Sequence, residues 1–484
     1  MNLSSCLEVL QGNLLNSPEA INQKISSIEI DSRKVKTGSL FVAIKGTKSN
    51  GEDFIPQAEQ NGCVAVVAEN SVDFKSSSIQ VKDTYLAAAQ LAEYQYESPA
   101  ESMDLIGVTG TNGKTSVSMM IHWLLEKSGR KAGLSGTVFI SYGNVQESSE
   151  MTTPDALSFQ KMLFEMKQHG VETVCLEVSS HALSQHRVGT YPFKTAIFTN
   201  LTQDHLDYHD DMDDYFSAKA RLFTELLGEK GKAVINVDDE YGKRLARSIA
   251  ADRLISVGLC GSVDYKIKNI ESTFNGIKFE IEKEGKIFSV KSPLIGRFNA
   301  FNLVQVIAAL ELEGIPLSES VKLLEGFPGV PGRMQVFVRE NKMVVVDYAH
   351  TPDALEKALT ALKPLTSKLH CIFGCGGDRD NSKRSLMGEV ASKYVDQLWL
   401  TDDNPRTEAS EKIIEDILSG IAESSHVNIE QDREACIQKA VLGLDEGEIL
   451  LVAGKGHEDY QIYGSEKKAF CDRAVVSKYL EELA

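Results

Sequence analysis

Residues 104–116 read D-L-I-G-V-T-G-T-N-G-K-T-S, and this stretch decides the fold of the centre of the chain. It opens on a short apolar run, and a second apolar segment, VSMMIHWLL at 117–125, follows the glycines and the lysine. This order predicts a strand, a turn and a buried helix. Gly110 and Gly113 let the turn curl so that backbone N–H groups face an anion at the helix N-terminus, where Lys114 adds positive charge. The stretch is therefore interpreted as a phosphate cradle.

The spacing of this cradle departs from the usual pattern G-x-x-x-x-G-K-[ST]. Val108 stands five residues before Gly113, and the nearest glycines are at 107 and 110. We expect a variant ATP-binding loop in which the Thr115 hydroxyl is available to Mg²⁺. The alternative is a plain glycine-rich turn, and the motif by itself allows a kinase, a GTPase or a motor.

Composition and charge exclude several classes of protein. The 484 residues are 42% hydrophobic and 25% charged, which is typical of an ordered protein of about three domains. The net charge of −18 argues against a general nucleic-acid or anionic-membrane surface. No apolar run approaches the ~20 residues of a membrane helix, and the N-terminus lacks the pattern of a signal peptide. We expect a cytoplasmic monomer whose eight scattered cysteines are reduced.

The pattern of apolar runs predicts an α/β protein with three domains. Residues 1–98 are predicted to form a small α/β domain. Residues 99–335 alternate strands and helices, which indicates a mostly parallel sheet, with an antiparallel patch at 264–294. Residues 336–484 repeat the alternation and predict a doubly wound, Rossmann-like domain. The Pro- and Gly-rich segment FPGVPGR at 327–333 is predicted to be a hinge.

Two polar clusters follow successive strands of the central domain. E-V-S-S-H at 177–181 and N-L-T-Q-D-H-L-D at 200–207 supply carboxylates, hydroxyls and imidazoles at strand ends. Together, downstream of a phosphate loop, they indicate a divided Mg²⁺ site, although the first cluster alone could be a capped loop. Lys219 lies in the predicted helix after the second cluster, and its spacing alone favours a solvent-facing lysine.

Charged loops also follow the predicted strands of the last domain, where they combine carboxylates with Arg, His or Lys. They are D-Y-A-H-T-P-D at 347–353, G-G-D-R-D at 376–380, D-D-N-P-R at 402–406 and G-K-G-H-E at 454–458. The pattern suits a zwitterionic ligand, because arginine pairs with a carboxylate and carboxylates pair with an ammonium. Any one loop could be a salt-bridged turn. In the first domain, residues 31–33 (D-S-R) favour a turn with a solvated ion pair.

The motifs T-G-T-N-G-K-T, E-V-S-S-H, N-L-x-x-D-H-L-D and D-Y-A-H-T-P together resemble the Mur ligases, which attach amino acids to a UDP-linked muramic acid precursor of peptidoglycan. The resemblance runs through all three domains and implies a role in cell wall biogenesis, and thereby in cell shape and division. Residues 403–406, D-N-P-R, resemble the members that add meso-2,6-diaminopimelate as the third amino acid. Arg406 could pair with the extra carboxylate of diaminopimelate, which lysine lacks.

The resemblance implies roles for matching residues. Those implied to hold the UDP-muramoyl-dipeptide, the first five of them around uridine, are Ile30, Ser32, Thr47, Lys48, Ser49, Thr152, Thr153, Ser179, Gln185 and Arg187. Those implied to hold ATP are Gly110, Thr111, Asn112, Gly113, Lys114, Thr115 and Ser116. Those implied to hold diaminopimelate are Arg379, Asp403, Asn404, Pro405, Arg406, Gly454 and Glu458.

The implied catalytic residues are Lys114, Glu177, His205 and Lys219. The last three, with Thr115, are implied to hold Mg²⁺, Lys219 as a carbamate (N6-carboxylysine). The reaction implied is an ATP-driven ligation through an acyl phosphate, with closure about the hinge. Three alternatives stay open: the same reaction with L-lysine, a folylpolyglutamate-type ligase, and a regulatory or motor P-loop ATPase.

Overall fold

A computed structural model describes residues 1–14, 22–46, 49–422 and 426–482. The described part folds as two units, Met1–Ile255 and Ser256–Ala484. Its helices and strands are numbered α1 to α15 and β1 to β24 in chain order. No helix among these residues is long and apolar enough to cross a membrane.

The first unit begins with a mixed sheet in the order β1-β5-β4-β3-β2, in which the β1–β5 pair is antiparallel. Leu40 and Val42 face one core and Phe41 the opposite core, because successive strand residues point to opposite faces. Both faces are therefore covered, as expected of a parallel sheet. Its elements are α1 (Leu3–Leu10), β1 (Asn13–Leu14), β2 (Ile28–Glu29), β3 (Leu40–Val42), α2 (Ile55–Gln60), β4 (Ala65–Ala68), β5 (Ser77–Gln80) and α3 (Thr84–Gln95).

A second sheet of this unit contains strands in the order β12-β11-β6-β10-β7-β8-β9. Strands β6, β7, β10, β11 and β12 pair in parallel, whereas the hairpin β8–β9 is antiparallel and extends the edge. The elements are β6 (Asp104–Thr109), α4 (Lys114–Lys127), β7 (Ala132–Ser135), β8 (Phe139–Tyr142), β9 (Val145–Ser148), α5 (Ala156–Gln168), β10 (Thr173–Glu177), α6 (Ser180–Ser184), β11 (Phe193–Phe198), α7 (Met212–Thr224), β12 (Leu227–Asn236) and α8 (Glu240–Ala246). Strand β13 (Leu254–Gly258) begins in the first unit and ends in the second.

The register of this sheet brings three strand ends together. Strand β6 lies between β10 and β11, with Glu177 beside Val108 and Phe198 beside Thr109. The loops that follow the three strands therefore begin side by side, at the edge of the sheet where ligands of α/β proteins gather. The predicted strand, turn and helix at 104–125 are confirmed.

The second unit begins with the predicted antiparallel patch, which is confirmed as a meander of β14, β15 and β16. Helix α9 is buried on most of its surface, which explains its nearly continuous apolar sequence. These elements are β14 (Tyr265–Thr273), β15 (Gly276–Lys283), β16 (Lys286–Ser292), α9 (Phe298–Leu312) and α10 (Leu317–Leu324).

The rest of the second unit is a doubly wound sheet in the order β17-β18-β22-β19-β20-β21, parallel except for β17. Its two faces pack against separate apolar clusters, as predicted. Strands β17 and β21 and the hairpin β23–β24 were not predicted from the sequence. The elements are β17 (Gln335–Arg339), β18 (Lys342–Asp347), α11 (Pro352–Leu362), β19 (Leu369–Phe373), α12 (Ser382–Tyr394), β20 (Gln397–Leu400), α13 (Ser410–Leu418), β21 (Val427–Ile429), α14 (Arg433–Leu442), β22 (Ile449–Ala453), β23 (Tyr460–Tyr463), β24 (Glu466–Ala469) and α15 (Asp472–Glu481).

Candidate active site

The phosphate loop joins β6 to α4, and two of its glycines are required by its shape. Gly110 has φ +145°, and a Cβ there would collide with the Thr199 hydroxyl at the end of β11. Gly113 has φ +91° and directly precedes α4. Both conformations are open to glycine and strained for other residues. The loop therefore has the backbone that a helix N-terminal phosphate site needs.

Side chains from the end of β11 hold this loop in place. Asn200 Oδ1 accepts from the Asn112 N–H at 3.1 Å, and Asn200 Nδ2 donates to the Asn112 carbonyl at 3.0 Å. The Thr199 hydroxyl donates to the same carbonyl at 2.6 Å. The shape of the loop thus depends on a neighbouring strand as well as on its own glycines.

Two lysines converge on this loop. Lys114 Nζ donates to the carbonyls of Gly110 and Thr111 at 2.9 Å each, and Lys219 Nζ donates to the Gly110 carbonyl at 3.0 Å. The expectation of a solvent-facing Lys219 is wrong, because this side chain is 1% exposed. It lies on the core face of α7 with Tyr215 and Leu222, four residues before it and three after it. That spacing is the signal in the sequence that could have revealed the burial.

Burial changes the chemistry of Lys219. Loss of hydration lowers its pKa well below the ordinary value, the positive charge of Lys114 lowers it further, and Asp204 opposes both effects. The ammonium also lies 4.5 Å from the centre of the Tyr215 ring. A buried lysine with a low pKa has more of the neutral amine, which is the nucleophilic form.

Glu177 ends β10 and is 1% exposed. Its Oε2 accepts from the hydroxyls of Thr115 and Thr137 at 2.9 Å each, and its Oε1 accepts from the Thr137 N–H at 2.7 Å. The structure therefore joins two predicted metal ligands, Thr115 and Glu177, by a hydrogen bond. A hydroxyl and a carboxylate are oxygen ligands of the kind that Mg²⁺ takes, so this pair fits that ion. Thr137 was not among the residues predicted from the sequence.

His205 lies in a cluster of aromatic rings and within electrostatic reach of Lys114 and Lys219. Its ring centre is 5.0 Å from that of His181 and 5.9 Å from that of Tyr215, whose hydroxyl lies 3.2 Å from that of Thr111 in the phosphate loop.

Burial lowers the pKa of His205, Asp204 opposes this shift, and the charge of Lys114 adds to it. Burial likewise lowers the pKa of His181 to about 4. Both imidazoles are therefore largely neutral at pH 7.

The residues predicted for the dipeptide part of the substrate form one network. Thr153 Oγ1 donates to the Glu177 carbonyl at 2.8 Å and accepts from the Ser179 N–H at 3.2 Å. Arg187 donates to Gln185 Oε1 at 2.8 and 2.6 Å and to the Thr153 carbonyl at 3.1 Å. The Thr152 and Thr137 hydroxyls lie 3.1 Å apart, which links this network to Glu177.

The first domain shows the predicted turn with its ion pair, in which Arg33 and Asp31 lie 2.8 Å apart. Ser32 is buried and its hydroxyl donates to Gln57 Oε1 at 2.7 Å.

Of the other residues predicted around uridine, Ile30 is partly buried against the core and Ser49 is exposed. Two further residues predicted around uridine, Thr47 and Lys48, lie outside the described residues.

In the second unit, the loops that follow β19 and β20 are joined. Arg406 has φ +53°, and its Nη1 donates to the Gly377 carbonyl at 2.7 Å. A Cβ on Gly376 would lie 2.9 Å from Arg406 Nη1 and 3.7 Å from Arg379 Cγ, so both arginines flank this glycine. Asp378 accepts from the Thr407 hydroxyl at 2.8 Å and thereby ties the two loops again.

The loop after β22 joins this group. A Cβ on Gly454, which has φ +110°, would lie 2.8 Å from Asp403 Oδ2. Asn404 Nδ2 donates to Glu458 Oε2 at 3.2 Å. The predicted acceptor residues are thus brought together by the loops that follow β19, β20 and β22, and the Arg406 N–H donates to the Ile462 carbonyl in the hairpin β23–β24 at 3.0 Å. Pro405 lies buried between Asn404 and Arg406.

The described residues thus form an α/β protein with a phosphate-type loop in one unit and a cluster of charged strand-end loops in the other, the features from which a phosphate site and a site for a zwitterion were predicted. Three family models match consecutive parts of the chain: "Mur ligase family, catalytic domain" at residues 24–106, "Mur ligase middle domain" at 108–310 and "Mur ligase, glutamate ligase domain" at 332–456. The chain belongs to the Mur ligase family, which confirms the resemblance and the predicted α/β fold class.

The chain is similar over nearly its whole length to proteins named UDP-N-acetylmuramoyl-L-alanyl-D-glutamate--2,6-diaminopimelate ligase. It is 44% identical to the protein of Aquifex aeolicus (strain VF5), over 95% of this chain and 94% of that one. It is 42% identical to the protein of Thermosynechococcus vestitus, over 96% and 94% respectively. A solved structure of the same name has 33% identity and a TM-score of 0.72, and covers 100% of this chain and 99% of its own.

Proposed function

We propose that this chain is an ATP-dependent amide ligase that adds meso-2,6-diaminopimelate to UDP-N-acetylmuramoyl-L-alanyl-D-glutamate in peptidoglycan biosynthesis. The chain is similar to its relatives over almost their full lengths, and the names of those relatives support the reaction. The observation that carries the proposal is the phosphate loop with Lys114, Thr115 and Glu177 joined around it. We also propose that it acts in the cytoplasm as a monomer.

The phosphate loop would bind the β- and γ-phosphates of ATP through the N–H groups of residues 110–116. Lys114 would stabilise the charge that spreads over the transferring phosphoryl group. Mg²⁺, held by Thr115, Glu177, His205 and Lys219 as a carbamate, would supply further charge neutralisation at the phosphoryl oxygens. The γ-carboxylate of D-glutamate would attack the γ-phosphate, giving an acyl phosphate and ADP.

The acyl phosphate would then react with the amine of the acceptor. Attack on the acyl carbon gives an oxyanion intermediate, which expels phosphate and leaves the amide. Thr152, Thr153, Ser179, Gln185 and Arg187 would orient the dipeptide, because their shared network leads directly to Glu177. Ile30, Ser32 and Ser49, with Thr47 and Lys48, are proposed to line the uridine pocket.

We propose that Lys219 is carbamylated. Its neutral amine would attack CO₂, form a C–N bond and release a proton, which converts a buried cation into a carboxylate. Its burial and lowered pKa support this, because the charged ammonium is the form that burial disfavours. The carbamate would also remove the repulsion between Lys219 and Lys114.

The acceptor site is proposed to consist of Arg379, Asp403, Asn404, Pro405, Arg406, Gly454 and Glu458. Arg406 would pair with the distal carboxylate of diaminopimelate, and the carboxylates of Asp403 and Glu458 would receive an ammonium group. The contact between Arg406 and Gly377 supports this role, since it holds the guanidinium beside Arg379.

A phosphate-release assay with the purified chain tests the proposal. Phosphate should appear only when UDP-muramoyl-dipeptide, ATP, Mg²⁺ and diaminopimelate are all present, with much slower release when lysine is the acceptor. Equal turnover with lysine would reject the acceptor but not the family. Failure of UDP to bind would favour a folylpolyglutamate-type ligase, and rapid hydrolysis without any amino acid would favour a regulatory or motor ATPase.

A further inference from the structure

The loop G-K-G-H-E at 454–458 contains a fully buried charged side chain. It belongs to Lys455, which is 0% exposed. A buried lysine is uncommon, because removing its charge from water is costly unless the ammonium is paired. It stands between Gly454 and Glu458, which are both proposed to bind the acceptor. No role has so far been given to it.

The ammonium of Lys455 connects two proposed acceptor residues. Its Nζ donates to Glu458 Oε2 at 2.8 Å and to Asn404 Oδ1 at 3.2 Å, and it lies 5.4 Å from the centre of the Tyr460 ring. Asn404 Oδ1 also accepts from the Ile462 N–H at 3.0 Å. The oxygen of the Asn404 amide therefore faces two donors, which fixes the orientation of that side chain.

The same network makes the Glu458 carboxylate asymmetric. Lys455 Nζ and Asn404 Nδ2 both donate to Oε2, at 2.8 and 3.2 Å. Within the described residues, the hydrogen bonds that the protein makes to this carboxylate all reach Oε2, which leaves Oε1 for a ligand. Lys455 itself is too deeply buried to contact the acceptor.

We propose that Lys455 is a positioning residue that orients Glu458 and Asn404 and sets the net charge of the acceptor site, thereby favouring diaminopimelate over lysine. This inference rests on the proposed function. At pH 7 diaminopimelate has no net charge, since it carries two ammonium and two carboxylate groups, whereas lysine carries one net positive charge. Loss of the Lys455 charge makes the site more negative and should favour the cationic amino acid.

The test compares kcat/KM for the two acceptors in Lys455→Met, Glu458→Gln and the double variant. In Lys455→Met we expect the ratio of kcat/KM for diaminopimelate to that for lysine to fall about tenfold, with the KM for diaminopimelate raised and the KM for ATP unchanged. Glu458→Gln should shift the ratio in the opposite direction. The double variant, in which both charges are absent, should return the ratio close to that of the wild type.

The double variant also serves if Lys455→Met fails to fold, because it leaves no buried charge unpaired. The ratio of kcat/KM for diaminopimelate to that for lysine should then be lower in the double variant than in Glu458→Gln alone. Lys439→Met is the matched control, since Lys439 forms an ion pair with Glu430 on the surface of the same unit. An unchanged ratio in Lys455→Met, with every KM altered equally, would overturn the inference. A wild-type chain that does not use diaminopimelate would instead reject the proposed function.

Discussion

The phosphate loop and the acceptor loops both lie at the carboxyl ends of parallel strands, but they are built differently. The phosphate loop is seven consecutive residues whose glycines and helix N-terminus have the backbone geometry that an anion site needs. The acceptor loops come from β19, β20 and β22 and are joined by side chains such as Arg406 and Lys455. A phosphate site can therefore be encoded by one contiguous stretch, whereas the proposed selectivity between diaminopimelate and lysine would need groups from several strands.

The largest effect is expected from Lys114→Met. Loss of this charge should lower kcat for phosphate release about 10²- to 10³-fold, equivalent to ~3–4 kcal/mol, because it removes stabilisation of the transferring phosphoryl group. Lys127→Met, at the exposed end of the same helix, is the control and should retain activity. A loss of less than threefold would show that the phosphate loop does not depend on this lysine.

Lys219→Ala should reduce activity nearly as strongly, by about 10²-fold, and added short carboxylic acids should restore part of it. The physical reason is that a small carboxylate can occupy the space of the lost carbamate. Phosphate release at increasing acetate concentrations measures the rescue. Lys114→Met provides the contrast, because a carboxylate cannot replace its positive charge. Absence of rescue in Lys219→Ala would count against carbamylation.

Arg406→Lys tests the proposed acceptor site, which is built from loops after several strands. We expect kcat/KM for diaminopimelate to fall by ~1.5–3 kcal/mol, because a point charge replaces a planar fork that can hold a carboxylate with two hydrogen bonds. The KM for ATP should not change. Arg297→Lys, on an exposed residue before α9, is the control. Unchanged kcat/KM would remove Arg406 from the acceptor site.

Asn200→Ala tests whether ATP binding by the phosphate loop depends on the side chain that supports the loop from the end of β11. This change removes two hydrogen bonds to Asn112, and we expect the KM for ATP to rise about five- to tenfold, equivalent to ~1–1.4 kcal/mol. Asn275→Ala, in the exposed β14–β15 turn, should leave it unchanged. A KM that does not move would mean that the glycines and helix of the loop suffice without support from β11.

The last prediction concerns stability and not activity, in the helix that follows the phosphate loop. Burial lowers the pKa of His122 in α4 from 6.5 to about 4, so the unfolded chain binds the proton more readily than the folded one. The free energy of unfolding should therefore fall as the pH is lowered from 6.5 towards 4, by about 1–2 kcal/mol at pH 5 from this residue. His122→Leu should flatten that part of the pH dependence in urea unfolding, and an unaltered slope would contradict the assignment.

The sequence was sufficient to predict structure where that structure depends on residues that are neighbours in the chain. The order of apolar runs and glycines predicted the strand, turn and helix around residues 104–125, and the apolar segments of both units predicted their parallel sheets. Among the missed elements, β21 has only three residues and the hairpin β23–β24 contains Lys467 and Lys468. Such strands form through pairing with the rest of the chain, which local propensity does not record.

By itself the sequence determined the family, the fold class and the position of the phosphate loop, because these depend on periodicity, glycine conformation and contiguous motifs. Only the tertiary structure decided that Lys219 is buried against Gly110, that Glu177 accepts a hydrogen bond from Thr115, and that Lys455 donates one to Glu458. The physical reason is that burial and charge pairing arise between residues far apart in the chain. The low pKa of Lys219 is a property of that packing.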